Sequence, residues 1–400
     1  MTKKKIKLST VLVIFVSIIV LALMLFLSVK NRKKAAYTVA FYKVPAPLEE
    51  QMEGLIKRNY VGSVSYINID SDSVPAKSQL KNIDILFTWN GAVCQKMARN
   101  AITLDEEILS PLNPQIKKSA FVDGKLKYLP VLLDSFNLQT LNSNGIIYNM
   151  PIPYNWTEFT NYLEMMKENV EEPLFVNFSN DSTLIDFTGA IVESICGGQA
   201  YLNLIELLQK DTDLTRVSTE PLGQNSQGET ITLNGIIGII KEMISAGYIT
   251  ENSFNKTAEE EELILKKRKA YGNIMMLSTF TELDEAVVNR FSTINFPQDE
   301  EIIDHALIAP ELVMLTFSKR KVNTSIAKYM LSDGVQNLLS QVTYLAPVTP
   351  TALPYDQAAD NIRYMAGASP MGPVPNLSLA AFTDSLTVNK FASQLRDELH

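Results

Sequence analysis

The hydrophobic pattern divides the chain into two unequal parts. Residues 8–29 (LSTVLVIFVSIIVLALMLFLSV) form an uncharged apolar run of 22 residues. As a helix it would reach roughly 33 Å, enough to cross the hydrocarbon core of a bilayer. Everything after it alternates apolar and polar positions in the manner of a globular protein. Ala36-Tyr37-Thr38-Val39-Ala40-Phe41-Tyr42 has the period of a strand, and Leu48, Met52, Leu55 and Ile56 place one apolar face on a helix from Pro47 to Arg58. VSYINI (64–69) and IDILF (83–87) read as further strands, the latter feeding Trp89-Asn90-Gly91 and a helix from Ala92 to Asn100.

Strands that alternate with helices indicate β-α-β units and an α/β lobe. In such sheets ligands gather beyond the carboxyl ends of the strands, which is where Trp89 and Asn90 fall. Further on, DGKLKYLPVLLD (123–134) predicts a turn and an extended stretch broken by Pro130, followed by Ser135-Phe136-Asn137. Asn155 and Glu158 have the spacing of a capping box opening a helix over 156–169, with Trp156 a packing residue. PLFVN (173–177) reads as a strand, a polar loop follows, and the helix from Leu184 to Cys196 ends at Gly197-Gly198.

The ends of the apolar run decide how it is used. Lys30-Asn31-Arg32-Lys33-Lys34 follows it where a signal peptide would have a small-residue cleavage site, which predicts an uncleaved anchor. Lys3, Lys4, Lys5 and Lys7 precede it, so the positive-inside rule is nearly tied and the body must settle the orientation. The expected layout is a basic tail (1–7), a transmembrane anchor (8–29), a basic linker (30–35) and a body large enough for two domains.

Composition narrows the chemistry. The net charge is −8, and no basic stripe lies beyond the anchor, which argues against nucleic acid. Cys94 and Cys196 are too few for a disulfide framework and read as buried thiols. His305 and His400 are the only histidines, there is no C-x-x-C or H-E-x-x-H pattern, and no glycine-rich phosphate loop occurs. His305 lies in an apolar stretch (IIDHALIA) and reads as structural rather than as part of a catalytic triad. No cofactor, metal or catalysis is expected.

Taken in order, these landmarks resemble the bacterial extracellular solute-binding proteins of family 1, the maltose-binding-like receptors of sugar-type ABC transporters. The resemblance rests on IDILFTWNGA, DGKLKYLPVLLD, the P-Y-N-W-T-E-F segment and the I-C-G-G helix end. It extends to the strand and loop of AYGNIMMLSTF (270–280), the helix over 324–339 and Tyr344-Leu345-Ala346-Pro347. It implies a two-lobed periplasmic-binding-protein-like α/β fold with a hinge and an interlobe cleft. One lobe would comprise 36–132 with 275–315 and the other 133–274 with 316–400, the chain crossing near Val131 to Ser135, near Met275 and near Leu315. It implies a body outside the membrane that captures a small polar solute, a sugar or oligosaccharide, and delivers it to ABC permease subunits. Ligand contacts carried over from it are Trp89, Asn90, Asp134, Asn137, Phe187, Phe280 and Asn376, aromatic faces for sugar C–H surfaces and polar groups for hydroxyls. Two departures stand out. Leu141 to Ile146 (LNSNGI) replaces the family's "Y-Y-N-K-D-L-F" run, and Phe280 stands where relatives stack a tryptophan. They keep open a second reading, a binding-protein fold without solute that serves as an envelope structural or signalling module.

Overall fold

Burial of five of its six residues, on both faces, makes Tyr37–Tyr42 an internal strand of its sheet rather than an edge. The computed structural model describes residues 36–141 and 153–400; the expected anchor over 8–29 and the run from Asn142 to Ile146 lie outside the described residues. Among the described residues, no helix is long and apolar enough to cross a membrane.

Along the chain, β1 (Tyr37–Tyr42) leads to α1 (Ala46–Asn59), which buries the four apolar residues expected of it. Then come β2 (Val64–Ile69), β3 (Ile85–Trp89), α2 (Ala92–Ala98) and β4 (Tyr128–Leu133). After Asp134-Ser135 the chain enters a second lobe with β5 (Phe136–Leu141), α3 (Trp156–Lys167), β6 (Glu172–Val176) and α4 (Asp181–Lys210). Asn155 caps α3 by accepting from Glu158 N at 2.8 Å, as its spacing predicts. Trp156 packs on Phe159 and Phe296, so its indole belongs to the core margin.

The second lobe continues with α5 (Leu233–Ser245), α6 (Ala258–Lys266), β7 (Ala270–Met276), α7 (Leu277–Thr281) and β8 (Phe291–Asn295). The chain then returns to the first lobe for β9 (Glu311–Thr316), α8 (Lys321–Met330), α9 (Asp333–Thr343), β10 (Ala346–Pro347) and α10 (Gln357–Ala368). It crosses a third time to α11 (Leu377–Ala381) and α12 (Ser385–Leu399).

The first sheet has the order β10-β4-β9-β3-β1-β2 and the second β8-β5-β7-β6. In the first, β1 runs parallel to β2 and β3, and β9 is antiparallel to both β3 and β4. In the second, β7 lies between β5, antiparallel, and β6, parallel.

This topology corrects the expected lobe limits. Met275 sits in the central β7 of the second sheet and Leu315 in the central β9 of the first, so neither marks a crossing. β8 hydrogen-bonds along the whole of β5, which keeps the chain in the second lobe to Asn295. The stretch 311–368 belongs to the first-lobe core instead. The chain leaves the first sheet after Leu133 and enters the second at Phe136.

The three crossings run side by side. Asp134 N donates to Pro310 O (2.9 Å), while Leu307–Ile308 pairs in parallel with Pro373–Val374. Two more details differ. Gly197 leaves the helical region (φ 81°, ψ 176°) as expected of a helix end, yet a helix resumes directly after it. A Cβ there would stand 2.3 Å from Asp304 Oδ1, so only glycine lets the second crossing lie against α4. The single helix expected over 324–339 is two, because Leu331-Ser332 leaves helical geometry between α8 and α9.

Candidate functional site

Between the lobes lies a cavity of about 530 Å³, lined from both sides. From the first lobe come the carboxyl ends of β1 (Tyr42, Lys43) and β3 (Trp89, Asn90). From the second come the loop after β6 (Ser179, Asn180) and the start of α12 beyond Phe382. This is the position that parallel strand order dictates, since β1, β3 and β6 all release their chains toward the gap.

Each wall has a distinct chemistry. Trp89 presents a half-buried ring above the first-lobe core. The Tyr42 hydroxyl is buried with no partner among the described residues. Lys43 adopts a left-handed backbone (φ 51°) that carries its ammonium outward, 3.3 Å from Asp72. Opposite, Asn180 caps α4 by accepting from Thr183 N (3.0 Å), and Asp181 pairs with Arg396 at 2.5 Å. Asp384 caps α12, and the Thr387 backbone N–H holds its carboxyl below the usual carboxylate range. The lobes touch where Gly91 (φ 139°) meets α11; a Cβ there would lie 2.4 Å from Leu379 O.

Of the seven ligand contacts expected, the structure brings Trp89 and Asn90 to this cavity and leaves the other five elsewhere. Asp134 is buried at the first crossing. Its carboxylate accepts from Ser135 N (2.8 Å), Ser278 N (3.0 Å) and Ser278 Oγ (2.5 Å), so it ties the first crossing to the start of α7. Burial pushes it up to about 6, against the pull of those donors. Asn137 accepts from Ser135 Oγ (2.9 Å) on the outer face of the second sheet. Phe187 is wholly enclosed between Phe178 and Phe296, and Phe280 packs edge-on against Phe291 beneath α6; neither ring faces the gap. Asn376 donates to Asp186 (2.5 Å) and to Ser378 Oγ (3.1 Å), fastening the third crossing onto α4.

Reasoning from sequence missed Tyr42, Lys43 and Asn180. The rule that found Trp89, a position just past a strand's carboxyl end, identifies them equally. His305 is structural as expected, with Nδ1 2.9 Å from Glu193 Oε1 and Nε2 2.8 Å from Asp299 O. Burial alone would lower its pKa, but the hydrogen bond and charge of Glu193 carry it above the ordinary value. Among the described residues, no cluster of acidic, histidine and cysteine side chains could hold a metal ion.

No known protein-family profile matches this chain, and no curated protein matches it in sequence. Solved structures do. The bacterial solute receptor AcbH, described as preferring β-D-galactopyranose, superposes with a TM-score of 0.67 at 12% identity, over 90% of this chain and 98% of its own. A chitin oligosaccharide binding protein gives 0.62 at 13% identity, over 91% and 99%. Thiaminase I of Clostridium botulinum, solved with thiamin, gives 0.59 at 11% identity, over 91% and 100%. The shared property is the two-lobed α/β fold with its interlobe cleft.

Proposed function

We propose that this chain is the solute-binding receptor of an ABC-type uptake system, belonging with the family 1 sugar receptors. It captures a small polar solute, a sugar or oligosaccharide, between its lobes and passes it to permease subunits. The observation that carries this reading is the cavity itself: about 530 Å³, an ordinary size for a small-molecule site, with one aromatic face and polar groups converging from both lobes. An indole suits the apolar face of a pyranose, while the Tyr42 hydroxyl, Asn180 and Asp384 suit its hydroxyls. The solute receptors among the structural neighbours support it. The apolar run over 8–29 would hold the body at the outer face of the membrane, within reach of a permease.

An enzymatic role on the same fold is not favoured. Cys94, the one thiol lining the cavity, is enclosed, and burial together with the nearby Glu311 carboxyl pushes it well above its ordinary value. An activated thiolate nucleophile needs the opposite environment.

The test is a thermal-shift screen of the full chain against mono- and oligosaccharides, with polyols and amino acids as controls. A ligand at a hundred times its Kd adds about 2.7 kcal/mol of stability. A hit that Trp89→Ala weakens by roughly 3- to 10-fold fits a stacking contact of about 0.5–1.5 kcal/mol. A carbohydrate panel that leaves the melting temperature unmoved counts against this reading and favours a fold kept for protein contacts.

A further inference from the structure

Behind the cleft wall, at the start of β9, Glu311 is fully buried, and no cation among the described residues bonds to it. Its neighbours are few and their geometry is specific. Asn90 Nδ2 donates to Glu311 Oε2 (2.9 Å), Glu311 N donates to Asn90 Oδ1 (2.9 Å), and Asn90 N donates to Glu311 O (2.8 Å). Three hydrogen bonds thus clamp the residue between Trp89 and Gly91, both of which line the cavity. On its other side, Ser119 Oγ lies 2.7 Å from Glu311 Oε1 and 2.8 Å from Ile116 O.

A hydroxyl has one proton, and here it faces two acceptors. If Glu311 were ionised, Ser119 would serve the carboxylate or the Ile116 carbonyl and leave the other without a donor. If Glu311 carries a proton on Oε1, that proton goes to Ser119 Oγ and the serine proton goes to Ile116 O. Oε2 then accepts from Asn90, and every polar atom of the group is satisfied.

We infer that Glu311 is a positioning residue of the cleft, a neutral carboxylic acid that holds Asn90 and, through it, the Trp89 ring in place for the solute. The inference rests on reading the cleft as a solute site, although its first measurement needs no solute. Burial places the carboxyl at about 8, so the clamp meets its proton-loss midpoint on the alkaline side of neutrality. The other titratable groups against it are Cys94 on α2 and Tyr128 on β4. Burial pushes both well above their ordinary values, so neither interferes. Ser119 and Asn90, the remaining polar neighbours, do not titrate.

The experiment follows Trp89 emission in the ligand-free full chain, with Trp156→Phe leaving a single tryptophan. From mildly acid to mildly alkaline pH, the emission maximum is expected to move in a one-proton step near pH 8. Glu311→Gln, whose amide donates to Ser119 and accepts from Asn90 as the neutral acid does, should hold the acid-side spectrum throughout. Glu311→Ala should show the displaced spectrum at every pH; if it does not fold, the glutamine variant against wild type decides alone. A flat wild-type titration, or a step that survives in Glu311→Gln, overturns the inference. Solute binding without the step also overturns it and leaves the receptor reading intact. The step without binding of any solute upholds the coupling and counts against the receptor reading.

Discussion

The two lobes differ in how they treat the side-chain amides buried deepest in them. In the first lobe two enclosed amides are answered in full, although the Tyr42, Thr316, Ser340 and Thr349 hydroxyls there have no partner among the described residues. Gln336 donates to Val131 O and Met330 O and accepts from Val348 N, and Asn323 accepts from Tyr37 Oη while donating to Ser318 O. On the outer face of the second sheet, neighbouring strands present Asn137, Gln139 and Asn273, all enclosed. Asn137 Nδ2 and both ends of the Gln139 amide have no partner among the described residues, while Asn273 lies against the Glu261 carboxyl. Glu261 on α6 meets this layer and is held by Asn177 Nδ2 at 2.9 Å. A satisfied network fixes one arrangement, whereas an unsatisfied one leaves its cover held by packing alone. The difference teaches that the first-lobe amides of Gln336 and Asn323 are held by hydrogen bonds, whereas Gln139 in the second sheet is held by packing alone.

The largest effect expected of this contrast comes from the first lobe. Gln336→Leu strands the Val348 N–H and two carbonyls at roughly 1–3 kcal/mol for each unpaired group, so chemical denaturation should register a loss of about 3 kcal/mol or more. Asp134→Asn comes next. Its amide turns a donor toward the Ser135 and Ser278 donors at the first crossing, costing about 1–3 kcal/mol of stability. From sequence alone the opposite would be expected, weaker solute binding with stability intact, so one denaturation curve separates the two accounts.

The pH dependence of stability compares the lobes directly. Burial pushes Glu311 in the first lobe up to about 8 and Glu261 in the second up to about 7, from an ordinary 4.5. A group with a raised folded pKa holds its proton more tightly in the folded state. Its contribution is therefore complete below the unfolded value and is lost as pH rises through the folded one. Asp134 and Asp186, both about 6, act in the same sense. Melting temperature should thus fall between about pH 4.5 and 8. Glu261→Gln should flatten the part below about 7, and Glu311→Gln the part that persists to about 8. A profile that rises over this range breaks the argument. The smallest effect is Gln139→Met, which replaces an unanswered amide by an apolar chain of similar shape. It should change stability by less than about 1 kcal/mol, and a loss as large as that of Gln336→Leu would erase the distinction between the lobes.

What could be read in the sequence was local. The strand at 37–42, the apolar face of α1 and the Asn155 cap each depend on residues within a few positions of one another, so periodicity and spacing suffice. Lobe membership is not local. β8 pairs with β5, whose residues precede it by more than a hundred positions, and nothing near Phe291 announces that partner. The site divided the same way. Trp89 and Asn90 were legible because a strand end is a local signal, and that signal also marks Tyr42 and Asn180. Phe187 and Phe280 were misplaced because a ring that stacks on a ligand and a ring that fills a core are the same residue in the same pattern. Only burial distinguishes them.

One close approach has a consequence for engineering. Gly91 stands so near the Leu379 carbonyl that a methyl group would have to displace one lobe from the other. Position 91 is therefore a wedge point. If the cleft takes up a solute by closing, as proposed, Gly91→Ala would hold the lobes ajar, and apparent affinity would weaken in proportion to the fraction of molecules able to close. Larger side chains would extend the series, giving a family of sensors with one recognition surface and graded working ranges, adjusted at a residue whose own side chain is a single hydrogen atom.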